Sequence, residues 1–99
     1  MSRHLYLLSR TSSEIICVGK VWSKSAGGPP AGVDIARSDE ARALVVRAIV
    51  KFLATHAGER VEVVYGYDLQ DDLGDLIEIG GDTARDVPLL EYVEGFDFE

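Results

Sequence analysis

One segment of this chain, from Ser38 to Gly58, carries a complete helix pattern with a start, an apolar face and an end. Ser38 is a good N-cap, and Asp39 and Glu40 place negative charge in the first turn, where the helix dipole favours it. Gly58 suits the left-handed conformation that ends many helices. The apolar face follows the three- and four-residue spacing of a helix and consists of Ala41, Leu44, Val45, Ala48 and Phe52, widened by Ile49 and Leu53. We therefore predict a helix that begins after Ser38 and ends at about Ala57.

The part before the helix has the pattern of strands. Residues 5–8 are an apolar run, residues 14–22 form a longer one, and the short polar loop between them predicts a hairpin. Residues 23–36 contain a cluster of glycines and prolines, which predicts a loop. Alternation in the second strand places Ile16, Val18 and Trp22 on one face and Ile15, Cys17 and Val21 on the other.

After the helix, residues 60–66 alternate as a strand does, with Val61, Val63 and Tyr65 on the inward face. Residues 68–75 are rich in aspartate and predict an acidic loop or a single helical turn. Residues 76–79 are a candidate short strand, and residues 88–92 fit either a strand or a short helix.

This order of elements, β-β-α-β-β, predicts an α+β fold, in which one amphipathic helix covers a mainly antiparallel sheet. The 99 residues are enough for a single domain over 1–99 with a modest core. A core of this size leaves little room for a buried cofactor, and we expect none. The second face of the sheet is expected to be partly open unless the C-terminal segment crosses it.

Charge is divided unevenly between the two parts of the chain. Residues 1–58 carry eight Lys and Arg against four acids, a net charge of +4, whereas residues 59–99 carry thirteen acids against two arginines, a net charge of −11. A field of one sign attracts and holds a partner of the opposite sign. With a total charge of −7, direct binding of nucleic acid is not expected, and a basic protein is the predicted partner.

The aspartates at 68–75 do not have the spacing of a calcium loop. An EF-hand pattern that starts at Asp68 needs a glycine at Leu73 and a bidentate acid at Ile79, and a start at Asp71 puts Leu73 at a ligand position. We therefore expect no metal site, and the acidic run is either a solvated loop or a surface that binds a partner.

Aromatic residues among the acids favour the partner surface, since tyrosine and phenylalanine are common in interface hot spots. The alternative is that Tyr65 and Tyr92 belong to the core while Phe96 and Phe98 fasten the tail, and for Tyr65 this alternative is preferred. The predicted partner-binding residues are Tyr67, Asp68, Asp71, Asp72, Asp75, Glu91, Tyr92, Glu94 and Asp97.

No arrangement of residues in the sequence indicates catalysis, so we expect that the chain is not an enzyme. His4 and His56 have no nucleophile motif around them, and Cys17 lies in an apolar strand, where an inert buried thiol is common. A lone cysteine also excludes an internal disulfide.

The location of the protein is predicted from its apolar runs. The apolar run near the start of the chain is too short for the core of a signal peptide, and no run reaches the length of a membrane span. A cytoplasmic protein is therefore expected.

In type, the chain resembles the small acidic immunity proteins that accompany bacterial toxins of contact-dependent and polymorphic systems. It shares with them a length near 100 residues, an α+β pattern and an acidic surface with aromatic residues. Two short motifs, Val18-Gly19-Lys20 and Phe52-Leu53-Ala54-Thr55-His56-Ala57-Gly58, are similar to those of uncharacterised small bacterial domains. The resemblance implies a 1:1 complex with a cognate basic toxin, often a nuclease, whose groove the acids would occupy.

Three other functions remain open on the sequence alone. An acidic mimic of nucleic acid that blocks a nucleic-acid-binding protein, such as an anti-defence factor, would have the same charge pattern. A small enzyme or metal-binding domain would depend on His4, His56 or Cys17. A structural domain that forms homo-oligomers would pair through an open sheet face.

Overall fold

The predicted α+β class is confirmed by a five-stranded sheet that carries one long helix. A computed structural model of the chain describes residues 2–66, 76–81 and 83–98. Its elements in chain order are β1 (Ser2–Ser9), β2 (Glu14–Ser23), β3 (Pro30–Asp34), α1 (Asp39–Thr55), β4 (Val61–Tyr65), β5 (Ile77–Ile79) and α2 (Leu89–Val93). Neither of the described helices is long and apolar enough to cross a membrane.

The sheet has the strand order β3-β2-β1-β4, and all three of these pairings are antiparallel. β5 pairs in parallel with the beginning of β2, where Ile77 lies opposite Glu14 and Ile79 opposite Ile16. The hairpin, the strand at 60–66 and the short strand at 76–79 are thus confirmed, and the segment at 88–92 forms a helix. The predicted β-β-α-β-β order differs in detail, because β3 precedes α1 and one pairing is parallel.

The loop predicted for residues 23–36 is wrong in its second half, which forms β3. The glycines and prolines there have roles in a strand that composition alone does not show. Pro30 is the first residue of a strand at the sheet edge, where its missing N–H costs little. A side chain at Gly32 would begin 2.8 Å from the Trp22 indole, so glycine lets the ring lie against β3.

The predicted faces of β2 are also wrong beyond its middle, because β2 contains a β-bulge. Leu5 pairs with Gly19 while the next residue, Tyr6, pairs with Cys17, so that Val18 has no partner on β1. One extra residue in a strand reverses the faces of everything after it. As a result Val21, opposite Arg3, lies on the same face as Ile16, which lies opposite Leu7.

The sheet has an apolar cluster on each face. On the helix side Phe52 of α1 is fully buried, and this cluster consists of Leu7, Ile16, Ala48, Phe52 and Ile79. On the other side Leu76 covers Leu8 and Ile15, with Tyr6 and Val64 half-buried beside them. The second face is therefore only partly covered in the part of the chain that the structure describes.

The predicted ends of α1 are confirmed. The Ser38 side chain accepts a hydrogen bond from the backbone N–H of Ala41 at 3.1 Å. At the other end Thr55 is the last helical residue, His56 is the C-cap, and Gly58 has a φ of +88°. A side chain at Gly58 would be strained by this left-handed backbone, which is why glycine suits the position.

Replacing Ser38 by alanine removes the N-cap and should lower the free energy of unfolding by about 1 kcal/mol. The backbone N–H of Ala41 would lose its acceptor within the protein and turn to water. Urea denaturation followed by circular dichroism measures the change, with Ser38→Asp as a control that keeps a capping oxygen. Equal loss in the alanine and aspartate variants would contradict the capping role.

α1 leaves part of its side of the sheet open. Four paired strands are about 19 Å wide, while a helix with its side chains is about 10 Å across. Val61 packs against the helix-side cluster, but Val63 on the same face of β4 is 66% exposed. The predicted inward face of Val61, Val63 and Tyr65 is therefore covered at Val61 and open at Val63.

A shallow, mainly apolar groove crosses the uncovered part of this sheet face. It is lined by Leu5, Val21, Pro30, Ala31, Gly32, Val33, Val63 and Tyr65.

Candidate functional site

The predicted partner surface is described only in its C-terminal part. Five of its nine residues, Tyr67, Asp68, Asp71, Asp72 and Asp75, lie outside the described residues. The other four lie together on α2 and the segment after it: Glu91, Tyr92, Glu94 and Asp97. We call α2 with residues 94–98 the C-terminal segment.

The C-terminal segment is held on α1 by two basic side chains and three aromatic rings. Lys51 donates a hydrogen bond to the backbone carbonyl of Tyr92, and its ammonium lies 4.5 Å from the centre of the Tyr92 ring. The Arg47 guanidinium lies 4.9 Å from the centre of the Phe98 ring, and Phe96 and Phe98 meet edge to face at 4.8 Å. Cations over aromatic faces are stabilising, and each such contact also restricts where the segment can lie.

Sequence reasoning missed the roles of Arg47 and Lys51. No local pattern connects these two side chains to rings more than forty residues away. For Phe96 and Phe98, the alternative that they fasten the tail agrees with these contacts.

The four described residues of the predicted surface differ in how deeply they are buried. Tyr92 is half-buried against the helix-side cluster, and burial raises the pKa of its hydroxyl. Glu91, Glu94 and Asp97 are exposed. Among the described residues, no Lys or Arg forms an ion pair with Glu91 or Glu94. The segment thus presents carboxylates outward from a backbone that Tyr92 and the two phenylalanines anchor.

A second polar cluster lies at the C-terminal end of α1, around a buried histidine. His56 is 2% exposed, with Nε2 2.8 Å from Glu14 Oε1 and Nδ1 3.0 Å from Glu59 Oε2. The hydroxyls of Ser9 and Ser12 donate hydrogen bonds to Glu59 Oε1 at 2.9 and 3.1 Å. The hydrogen bond from His56, followed by that from Ser9, lowers the pKa of the Glu59 carboxyl. These contacts join the β1–β2 turn to the end of α1.

Serine, histidine and glutamate are the residue types of a catalytic triad, but their arrangement here does not support that chemistry. A general base needs a free ring nitrogen to take the serine proton. Nε2 of His56 faces Glu14 and Nδ1 faces Glu59, so neither ring nitrogen is free to take a proton from a serine. Ser12 Oγ is 3.4 Å from Nδ1 and donates to Glu59 instead. The cluster therefore connects the β1–β2 turn and the start of β2 to the end of α1.

Cys17 and His4, the other two candidate reactive residues, lie in surroundings that do not indicate catalysis. Cys17 is half-buried, and desolvation raises the pKa of its thiol, which disfavours the reactive thiolate. His4 is exposed on β1. In the described ranges no three His, Cys, Asp or Glu side chains are placed to hold a metal ion together.

Comparisons with protein-family models, with curated proteins and with solved structures gave no match to this chain.

Proposed function

We propose that this chain is an inhibitory protein-binding module, most consistent with a bacterial immunity protein of the contact-dependent or polymorphic toxin type. In this proposal it works in the cytoplasm, is not an enzyme, and binds a cognate basic toxin domain of nuclease type in a 1:1 complex. The observation that carries the proposal is the exposed set of carboxylates, Glu91, Glu94 and Asp97, on a segment anchored to α1.

Anchoring matters because a rigid surface loses less conformational entropy on binding than a mobile one. Lys51 and Arg47 hold the C-terminal segment through its carbonyl and rings, and Glu91 and Glu94 on the same segment are exposed. A nuclease groove is rich in Arg and Lys because it holds phosphates, and carboxylates compete for the same cations through charge-assisted hydrogen bonds. Opposite fields would also speed association, which favours rapid neutralisation of a toxin.

The proposal is tested first with the polypeptide encoded by the gene immediately upstream in the native genome. That polypeptide is expressed in a host cell alone and together with this chain, and growth is followed. Growth arrest that is relieved by this chain, with a 1:1 complex seen by native mass spectrometry, is the expected result. Relief of arrest without a complex, or a complex without relief, would contradict neutralisation by binding.

Neutralising the exposed carboxylates should slow binding to that toxin. The double variant Glu91→Gln/Glu94→Gln is expected to lower the association rate constant about three- to tenfold at low salt, with a smaller difference at high salt. Surface plasmon resonance at two salt concentrations measures it. The same measurement on Asp71→Asn/Asp72→Asn/Asp75→Asn tests the other part of the predicted surface.

A matched control separates a local effect from one of total charge. Asp34→Asn/Asp39→Asn also removes two charges, from exposed sites on β3 and at the first residue of α1, outside the groove that Glu40 and Arg47 line together with Leu90. Its association rate constant should stay within about twofold of wild type, since distant exposed charges are screened. Equal rates for the two double variants would show that the C-terminal segment is not the binding surface.

A further inference from the structure

The groove lined by Glu40, Arg47 and Leu90 lies where α2 packs on the first half of α1. Both helices contribute to it, and its full lining is Ser38, Glu40, Ala41, Ala43, Leu44, Arg47 and Leu90. Residues 40, 44 and 47 recur at the three- and four-residue spacing of one helix face, next to the face that buries Ala48 and Phe52. Helix α1 therefore presents one face to the sheet and a neighbouring face to this groove, which is mainly apolar and has a volume of about 470 Å³.

Leu90 extends the apolar surface of the groove onto α2. It is 73% exposed, more than any other large apolar side chain that the structure describes. Leu89 and Val93 of the same helix pack against the helix-side cluster and attach α2 to the fold, and Leu90 adds little to that packing. An exposed leucine is ordinary by itself, but beside an apolar groove it enlarges a contiguous apolar surface, which is typical of an interaction site.

Carboxylates surround this apolar surface. Glu40 lines the groove on α1 and is exposed, and Glu91 and Glu94 are exposed on the C-terminal segment. Glu94 follows Leu90 by four residues, so the two lie on the same side of α2. Among the described residues, no Lys or Arg forms an ion pair with any of these three acids. Arg47 is the cation of the lining, so the charge around the groove is negative.

We propose that this groove receives one large apolar side chain of the basic partner, from a segment in which Lys or Arg residues flank that side chain. The apolar side chain would lie against Leu44 and Leu90, and the flanking cations would reach Glu40 on one side and Glu94 on the other. An apolar anchor in a groove with charges at its rim is the arrangement of an interface hot spot. The inference rests on the proposed function and adds the chemistry that the partner presents at this surface.

A basic segment complements this site better than a second copy of the chain does. Each copy carries a net charge of −7, so two copies repel each other as they approach. A second copy docked through the same groove would also bring its own Glu40 and Glu94 towards carboxylates of the same sign. A segment with Lys or Arg pairs with both acids and places its apolar side chain between them.

The groove lies on the opposite side of the sheet from the two residues that flank residues 67–75. A side chain at Gly66 would begin 3.1 Å from the Tyr6 ring, and Leu76 belongs to the cluster against which Tyr6 packs. That cluster is on the sheet face away from α1, whereas the groove is formed by α1 and α2. Both flanking residues are therefore separated from the groove by the sheet.

The first measurement uses peptides and needs no toxin. A phage-displayed library of random peptides of about twelve residues is selected against the wild-type chain. The enriched peptides are expected to carry Leu, Ile, Met or Phe with Lys or Arg close on both sides. Synthetic copies should bind Leu90→Ser at least about fivefold more weakly than wild type in fluorescence polarisation. Replacing the apolar residue of the peptide by serine should weaken binding to wild type, and should weaken it less in the Leu90→Ser variant, because the two side chains are in contact.

The second measurement uses the complex with the polypeptide encoded immediately upstream. Leu90→Ser should raise the dissociation rate constant about five- to tenfold and change the association rate constant by less than about twofold, since an apolar anchor acts mainly after encounter. This is the opposite of the effect expected for Glu91→Gln/Glu94→Gln, which acts on association. Ala43→Lys places a cation in the groove and should also weaken the complex, because it repels the flanking Lys or Arg. Surface plasmon resonance separates the two rate constants.

Val50→Ser is the matched control, because Val50 is 47% exposed on α1 and does not line the groove. It should bind the peptides and the polypeptide as wild type does, and circular dichroism checks that every variant is folded. Selection that enriches no peptide sensitive to Leu90→Ser overturns the groove as a binding site, and enriched peptides without Lys or Arg overturn the basic occupant. Peptides that require Leu90 support the groove even if the upstream polypeptide does not bind, in which case the proposed function fails alone. A polypeptide that binds Leu90→Ser and Ala43→Lys as tightly as wild type overturns the groove and leaves the proposed function standing.

Discussion

Replacing His56 with alanine is expected to lower the free energy of unfolding by about 2–4 kcal/mol. The change deletes a buried ring that lies 4.5 Å from the ring of Phe52. It also leaves the carboxylates of Glu14 and Glu59 without the imidazole that both of them contact. A domain of this size has a total stability of only about 5–15 kcal/mol, so a substantial part of it would be lost.

Two further variants identify the cause of that loss. His56→Phe keeps an aromatic ring beside Phe52 but donates to neither carboxylate, so it should be nearly as unstable as the alanine variant. His4→Ala removes an exposed histidine and should change stability by less than about 0.5 kcal/mol. Guanidinium denaturation of all three variants gives the comparison. Recovery of wild-type stability in His56→Phe would show that packing, and not the carboxylate contacts, is what His56 supplies.

The acid dependence of stability should change in the same variant. In the folded chain the pKa of Glu59 is lowered, chiefly by the hydrogen bond from His56. A carboxyl whose pKa is lower in the folded than in the unfolded state stabilises the fold above its ordinary pKa, and this contribution is lost as the pH falls through the folded value. The wild-type chain should therefore lose stability as the pH falls below about 4.5, and His56→Ala should show a shallower loss in the same window. Denaturation at several pH values between about 7 and 3 measures both curves.

Replacing Phe52 with alanine should cost about 3–5 kcal/mol, because Phe52 is the largest of the fully buried side chains. It packs with Leu7 and Ile16 of the sheet and with Ile79 of β5, so its removal opens a cavity between α1 and the strands. For a domain of about 100 residues, a loss of this size lowers the melting temperature by well over 10 °C. Differential scanning calorimetry measures that shift.

The neighbouring residue on α1 provides the control for Phe52. Leu53 is also a large apolar residue inside α1, but it is about half exposed. Leu53→Ala should therefore cost less than about 1 kcal/mol. If the two variants were equally destabilised, the helix would be packed through a different face from the one described.

Local signals predicted most of the elements of this fold. The strong patterns are the Ser38 cap, the apolar face of α1 and the alternation at 60–66. Each of them depends only on residues that are close together in the chain, so it can be read from the sequence. The features that prediction missed depend on residues far apart in the chain. Gly32 of β3 pairs with Trp22 and leaves room for its ring, and the bulge at Val18 is visible only in the pairing with β1.

The candidate sites likewise combine local features, which the sequence predicts, with contacts between distant residues, which it does not predict. Exposure of Glu91 and Glu94 follows from their charge and was predicted, but the anchoring of their segment by Arg47 and Lys51 required the docking of α2 on α1. The cluster at His56 joins the start of β2 to the end of α1, across 42 residues. A histidine in the last turn of a helix gives no sign of the two carboxylates that will surround it, and the cluster could not have been found by spacing.

The parallel pairing of β5 with β2 also has a consequence for how the chain folds during its synthesis. Residues 14–16 of β2 pair with residues 77–79, so the flank of β2 stays open on the ribosome until β5 has emerged. The hairpin and α1 can form earlier because their contacts are local, but Phe52 and Ile16 lack Ile79 until then. Open strand edges on nascent chains invite pairing with other chains. The pairing of β5 is therefore the step that closes this flank of β2, and a slow pause in translation before β5 would prolong its exposure.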